Sequence, residues 1–323
     1  MENVARRPPY GAIALALRSG KAIPFLGSGA SRSQLADTNW EYGMRDALPE
    51  PGDLAAHLAD LGEYKPRDPE EMHDLPRAAQ YFDLASGRGL LRDVLDEIFT
   101  AEPQLGDHHE YLAEIETPEG VPYVLITTNY DDLLERAFDA NGRDYLLVVH
   151  TTDLPDKGEQ LLVREPDGDF TEMDASLIVP SKKSSTIIYK MHGSVRREKG
   201  AQGQYVITDD DYVNFLSRMT RAAAIPAILN QPLKMRSFLF LGYGLEDWNL
   251  RVLLSQLASR RFGESPASDS EIAPAPQPTP DDRTNWAIQS GPSVFDSFYW
   301  GKKGVDVYDM TIEEFVAELR ERS

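Results

Sequence analysis

Four short polar segments carry the residue types able to do chemistry, and each sits at the end of an apolar run. Gly27, Ser28, Gly29, Ala30 and Ser31 follow AIPFL; Thr127, Thr128, Asn129, Tyr130, Asp131 and Asp132 close VPYVLIT; Met191, His192, Gly193 and Ser194 follow STIIYK; Gly242, Tyr243 and Gly244 follow SFLFL. Glycines allow a tight turn and close backbone approach to a ligand, and a helix starting near Ser31 would offer free amides and a positive dipole end to a diphosphate. Asn129 can hold a sugar hydroxyl or orient a water. His192 is the candidate base, because an imidazole with an ordinary pKa of about 6.5 accepts a proton near neutrality. Gly242 to Gly244 can close over the same ligand.

Other polar clusters read as structural. His108 and His109 are adjacent and so do not share a helix face, which speaks against a metal pair. Asp209, Asp210 and Asp211 follow Thr208, the pattern of a capped helix with an acidic first turn, and Asp132 reads as a cap in the same way. The third glycine of GxGxxG is missing, and no acid-ended strand follows at the expected distance of about 20 residues, which disfavours ordinary hydride transfer. The chain has no cysteine, so disulfides, cysteine-ligated zinc and a cysteine nucleophile are excluded.

The elements that must position these groups alternate. A helix over Gly11–Arg18 precedes the AIPFL strand, residues Ser33 to Pro118 are helical in pattern, and VPYVLIT leads into a helix with Leu134, Ala137 and Phe138 on one face. Tyr145–Val149 is a short strand, Thr151–Ser185 has no clear assignment, and Leu250, Leu253, Leu254 and Leu257 mark another helix. Phe262–Asp282 has the proline- and serine-rich composition of a flexible loop. NWAIQ and VDVYDM are late strands, and Thr311 with Glu314 forms a capping box before a helix packed through Ile312, Phe315, Val316 and Leu319. Nearly continuous apolar strands alternating with helices predict an α/β fold: a Rossmann-like parallel sheet with helices on both faces and a mostly helical insertion. The expected division is a discontinuous domain over 1–35 and 120–323, the insertion over 36–119, and the loop 262–282 within the main domain.

With 323 residues, 41% of them apolar and 27% charged, the chain has ordinary globular usage. Its net charge of −20 opposes broad phosphate-backbone contact, so direct nucleic-acid binding is not expected. No apolar run approaches the roughly 18 residues of a membrane span, and no signal core opens the sequence, so neither a membrane association nor export is expected and a cytoplasmic location is.

The order GSGAS, TTNYDD, MHGS, TDDDY and FLGYGLEDWNLR resembles the sirtuin-like family, in particular its NAD-hydrolysing branch in bacterial antiphage defence. The resemblance implies that Gly27 to Ser31 bind the diphosphate and adenosine side of NAD, that Thr128, Asn129 and Asp131 line the nicotinamide ribose pocket, that His192 is the base, and that Gly242 to Gly244 complete the nucleotide site. Protein-deacylating sirtuins carry Thr-Gln-Asn-Ile-Asp where this chain has Thr127 to Asp131, and usually a four-cysteine zinc module, which this chain lacks. NAD as substrate, no zinc, and release of nicotinamide and ADP-ribose are therefore the expectations. A non-catalytic NAD or ADP-ribose sensor and, less favoured, a deacylase are the alternatives. The branch also implies homo-oligomers and partners such as a HerA-type ATPase or a short Argonaute.

Overall fold

A computed structural model describes residues 7–32, 40–66, 68–152, 160–179, 185–220, 225–244 and 284–322. The expected helix at Leu250–Leu257 and the expected loop at 262–282 lie outside the described residues.

The apolar runs become strands. β1 (Ala22–Leu26), β2 (Tyr123–Thr127), β6 (Thr186–Lys190) and β9 (Ser237–Leu241) are buried at every position, as strands covered on both faces must be. With β3 (Leu146–Val149), β10 (Asn285–Gln289) and β11 (Val305–Asp309) they form a parallel region. The stretch that resisted assignment holds β4 (Gln160–Arg164) and β5 (Phe170–Asp174), an antiparallel hairpin added beside β3. Its partly exposed positions explain why it lacks the apolar signature of the other strands. Among the described residues the nine strands of this sheet run in the order β11-β10-β9-β1-β2-β6-β3-β4-β5, while β7 (Gly193–Ser194) and β8 (Gln204–Tyr205) pair apart from it as a short antiparallel ladder.

Side chains alternate between two cores. Ile23, Phe25, Val124, Ile126, Phe238 and Phe240 face one layer, which includes Phe215 and Met219 of α7 (Asp209–Thr220), Leu233 of α8 (Asn230–Met235) and Trp300 of α9 (Val294–Lys302). Leu26, Tyr123, Leu125, Leu239 and Leu241 face the other, built by α1 (Tyr10–Arg18), α5 (Asp107–Glu114), α6 (Leu133–Ala140) and α10 (Ile312–Glu321). Thr311 and Glu314 make the expected reciprocal cap of α10. Among the described residues, α2 (Pro51–Leu61), α3 (Leu75–Ser86) and α4 (Arg88–Phe99) build a third core of their own, closed by Tyr130, Leu133, Tyr205 and Ile207.

The chain leaves β1 toward β2 on one side and later returns beside β1 as β9 on the other. That reversal is a topological switch point, where an open parallel sheet leaves a crevice beyond the carboxyl ends of its strands.

Candidate active site

The two glycine loops at the switch point are locked to each other. Gly27 N donates to Leu241 O (3.0 Å) and Gly29 N donates to Gly242 O (2.9 Å). Gly242 has φ +64, and a Cβ there would lie 2.3 Å from Ala30 N; one on Gly27 would lie 2.7 Å from the Tyr243 ring. Glycine is thus demanded by backbone contact as well as by turn geometry. The expected helix near Ser31 is a single 3₁₀ turn, Ser28–Ser31. Gly27, Gly29 and Ala30 already spend their amides within the protein, so the dipole of a full helix is not what this loop offers a diphosphate. His108, fully buried on α5, sits 2.8 Å through Nε2 from Ala30 O and holds the turn from behind, which is the structural role its pattern predicted.

Asn129 stands at the end of β2, next to that turn. Its Nδ2 donates both hydrogens, to Gly27 O (2.8 Å) and to Ser31 Oγ (2.7 Å), which fixes the orientation of the carboxamide. Ser31 Oγ in turn donates to Asp131 Oδ2 (2.5 Å). Among the described residues no donor meets Asn129 Oδ1, which leaves a fixed acceptor for a water or a sugar hydroxyl. Asp131 Oδ1 accepts from Leu133 N (3.1 Å) and so caps α6. The expected cap, Asp132, instead pairs through its carboxylate with Arg197.

His192 lies beyond the neighbouring strand, β6. Its ring is held edge to face by Tyr212 (5.3 Å) and Phe215 (5.1 Å), with no hydrogen bond to any described residue. Burial pushes its pKa down to about 3. This corrects the expectation of an ordinary imidazole: in the apolar setting the cation is the costly form, and the ring is neutral at physiological pH. Thr208 Oγ1 accepts from Asp211 N (3.1 Å), so the aspartate cluster is a helix start, and Asp211 also receives Arg88. Among the described residues no three histidine, aspartate or glutamate side chains group as metal ligands.

These groups share one cavity. Ser28, Ser31, Thr128, Asn129, Asp131, His192, Tyr243 and Gly244 line a space of about 460 Å³ whose far wall is Leu48, Leu54, Leu75 and Phe99 of the α2–α4 unit. A second space of about 780 Å³ shares Ser28, Tyr243 and Gly244 with the first and runs past Gly29 and Gly242 to Gln289, Met310 and Thr311, at the ends of β10 and β11. Ala30 and Gly27 line neither; they shape the turn from below. The switch-point loops thus stand between two connected chambers, one walled by apolar side chains around an amide, a carboxylate and an imidazole.

Two residues of this site escaped the sequence reading. Lys190, at the end of β6, is fully buried, and its Nζ donates to Glu135 Oε1 on α6 (2.9 Å) and to the backbone carbonyl of Asp131. A lysine closing an otherwise apolar strand and a glutamate beside the apolar face of LLERAF were the available signals.

The architecture defines a doubly wound α/β protein with a polar cleft at its switch point. A family model described as a SIR2-like domain matches residues 123–307, more than half of the chain. The chain belongs to the SIR2-like domain family. It is 29% identical over 242 residues to a protein of Cytobacillus dafuensis named NAD(+) hydrolase ThsA, covering 75% of this chain and 39% of that one. It is 28% identical over 246 residues to the protein of the same name in Enterococcus faecium, covering 75% and 41%. A Bacillus subtilis protein named defense-associated sirtuin 2 is 24% identical over 180 residues, covering 55% of this chain and 14% of that one. The chain spans about two fifths of the length of these ThsA relatives.

Proposed function

We propose that this protein hydrolyses NAD at the bond between nicotinamide and ribose. The observation that carries the reading is the convergence of Asn129, Asp131 and His192, from two strand ends 63 residues apart, on one chamber at the switch point. The relatives named as NAD(+) hydrolases support the same substrate. The reaction consumes NAD and water and gives nicotinamide, ADP-ribose and a proton. Nicotinamide departs neutral from a cationic centre and needs no acid, so the protein's task is to bind, orient and exclude bulk water while an oxocarbenium-like ribosyl centre develops. Asn129 Oδ1 takes a ribose hydroxyl or the attacking water, with Thr128 and Asp131 as neighbouring polar groups. The Leu48, Leu54 and Phe99 wall keeps the chamber dry.

His192 receives the proton. A base whose pKa is about 3 is weak toward ordinary water, but water adding to the ribosyl carbon becomes an oxonium, acidic enough to give its proton to a neutral imidazole of that strength. Ser28, Gly29 and Ser31, shaped from below by Gly27 and Ala30, hold the diphosphate span between the chambers together with Gly242 to Gly244, and the larger chamber takes the adenosine side. In this reading NAD is consumed in antiphage defence, with further copies of the chain and a HerA-type ATPase or short Argonaute as candidate partners. The test is quantification of nicotinamide after incubation of the chain, alone and with such partners, with NAD. Asn129→Ala and His192→Ala should each reduce release at least about a hundredfold while the fold is retained, in line with losing a positioned general base. Unchanged turnover in both variants would reject the assigned roles.

A further inference from the structure

Lys190 and Glu135 form a buried ion pair that the hydrolytic chemistry above does not use. The lysine is 0% exposed and the glutamate 5%. Burying both charges is costly and seldom improves stability over apolar residues of the same size, so the pair calls for a role beyond holding the fold. Its geometry supplies one. By strand alternation Lys190 lies on the same face of β6 as Ile188, toward the α6 layer, and its ammonium reaches past the end of β2. There it donates to the carbonyl of Asp131 as well as to Glu135 Oε1 (2.9 Å). Two residues further along its own chain is His192; two residues before Asp131 is Asn129.

We infer that Lys190, oriented by Glu135, is a positioning residue that sets the Asn129–Asp131 loop in register with His192. The backbone helps at two further points: Met191 N donates to Thr127 O (2.9 Å), one step before the loop begins, and Val195 N donates to Tyr130 O (2.8 Å) in the middle of it. Among the side chains, Ser194 Oγ reaches Tyr130 O only at 3.5 Å and Arg197 pairs with Asp132 at the exposed side, whereas Lys190 is the fully buried group that binds the carbonyl of Asp131 itself. Glu135 fixes where the ammonium stands; the Asp131 carbonyl transmits that position to Asn129 and, through the carboxylate of Asp131, to Ser31. The inference rests on the hydrolase reading for its kinetic consequence but not for its structural one.

The test replaces the pair by apolar residues of similar volume, Lys190→Met with Glu135→Leu, in the full chain. The readouts are the thermal midpoint, kcat and KM for NAD, and amide hydrogen exchange across residues 128–132. A positioning role predicts a midpoint close to that of the unmodified protein, kcat lowered at least tenfold with KM within about twofold, and faster exchange in the loop. A folded double variant with unchanged kcat and unchanged loop exchange overturns it. If the double variant does not fold, Glu135→Gln, which keeps an acceptor for the ammonium and leaves the Asp131 carbonyl contact, must retain more turnover than Lys190→Arg, which moves the donor; equal turnover in the two overturns the inference. A parent chain that releases no nicotinamide defeats the hydrolase reading instead, and loop exchange in the variants then decides this one.

Discussion

The Ser31 hydroxyl and the Asn129 carboxamide meet at 2.7 Å across 98 residues of sequence. The contact joins the end of β1 to the end of β2 and turns Asn129 so that its carbonyl oxygen is the end offered to the cavity. Ser31 also donates to Asp131, so one hydroxyl links the two polar side chains of the neighbouring loop.

Ser31→Ala removes that link without leaving a large void. The expected outcome is a loss of about 2 to 3 kcal/mol in stability, since two hydrogen bonds go, one of them to a carboxylate. Nicotinamide release should fall about ten- to a hundredfold, because Asn129 is then held by its bond to Gly27 O alone and its carboxamide is less firmly oriented. Steady-state kinetics alongside urea unfolding would check this, and full activity in a stable variant would show that Asn129 does not depend on Ser31.

Gly242→Ala and Gly244→Ala separate two kinds of glycine in one loop. An added Cβ at Gly242 meets Ala30 N at 2.3 Å in a left-handed conformation, whereas at Gly244 nothing among the described residues lies within 4 Å. Gly242→Ala should therefore cost more than about 1 kcal/mol and weaken NAD binding by shifting the Gly27–Ser31 turn. Gly244→Ala should leave stability within about 0.5 kcal/mol. Thermal denaturation of both variants decides it, and equal midpoints would contradict the tight loop packing.

Acid should destabilise the protein from pH 6.5 downward. Burial lowers the pKa of His108, His109, His150 and His192, the last to about 3. The unfolded chain binds protons at these groups near pH 6.5 while the folded chain does not. Their contribution is thus fully present above that pH and is lost as pH falls toward the folded-state values, by up to about 1.4 kcal/mol per pH unit for each histidine. Urea midpoints at pH 7.5 and 5.5 should show the drop, and His192→Gln should make it shallower. A midpoint that stays level or rises on acidification would refute the burial of neutral imidazoles.

For the same reason kcat/KM for NAD should show no acid limb near pH 6.5 arising from His192. A pH–rate profile that loses a limb near 6.5 on substitution of His192 would place its pKa at the ordinary value and contradict its buried setting.

The strands that carry the site were legible because burial on both faces leaves unbroken apolar runs, and the site segments because they end those runs. AIPFL, VPYVLIT, STIIYK and SFLFL each lead into a polar group that lines or supports the cavity. The β4–β5 hairpin was not legible, since half-exposed strands such as Phe170–Asp174 mix polar and apolar residues. Nor was the state of His192, because a pKa is set by what surrounds the ring, and Tyr212 and Phe215 arrive from α7, some 20 residues downstream. Lys190 was hidden for a related reason: its partner Glu135 comes from a different element, and only the register of β6 against β2 brings them together.

The most direct measurement is a crystal structure of the His192→Ala variant with NAD bound. The pyridine ring and its ribose should occupy the chamber of Asn129, Asp131 and Tyr212, with the ribose within hydrogen-bond reach of Asn129, and adenosine should lie toward Gln289 and Thr311. NAD bound in the opposite direction, or with its pyridine–ribose bond remote from both Asn129 and position 192, would contradict the account.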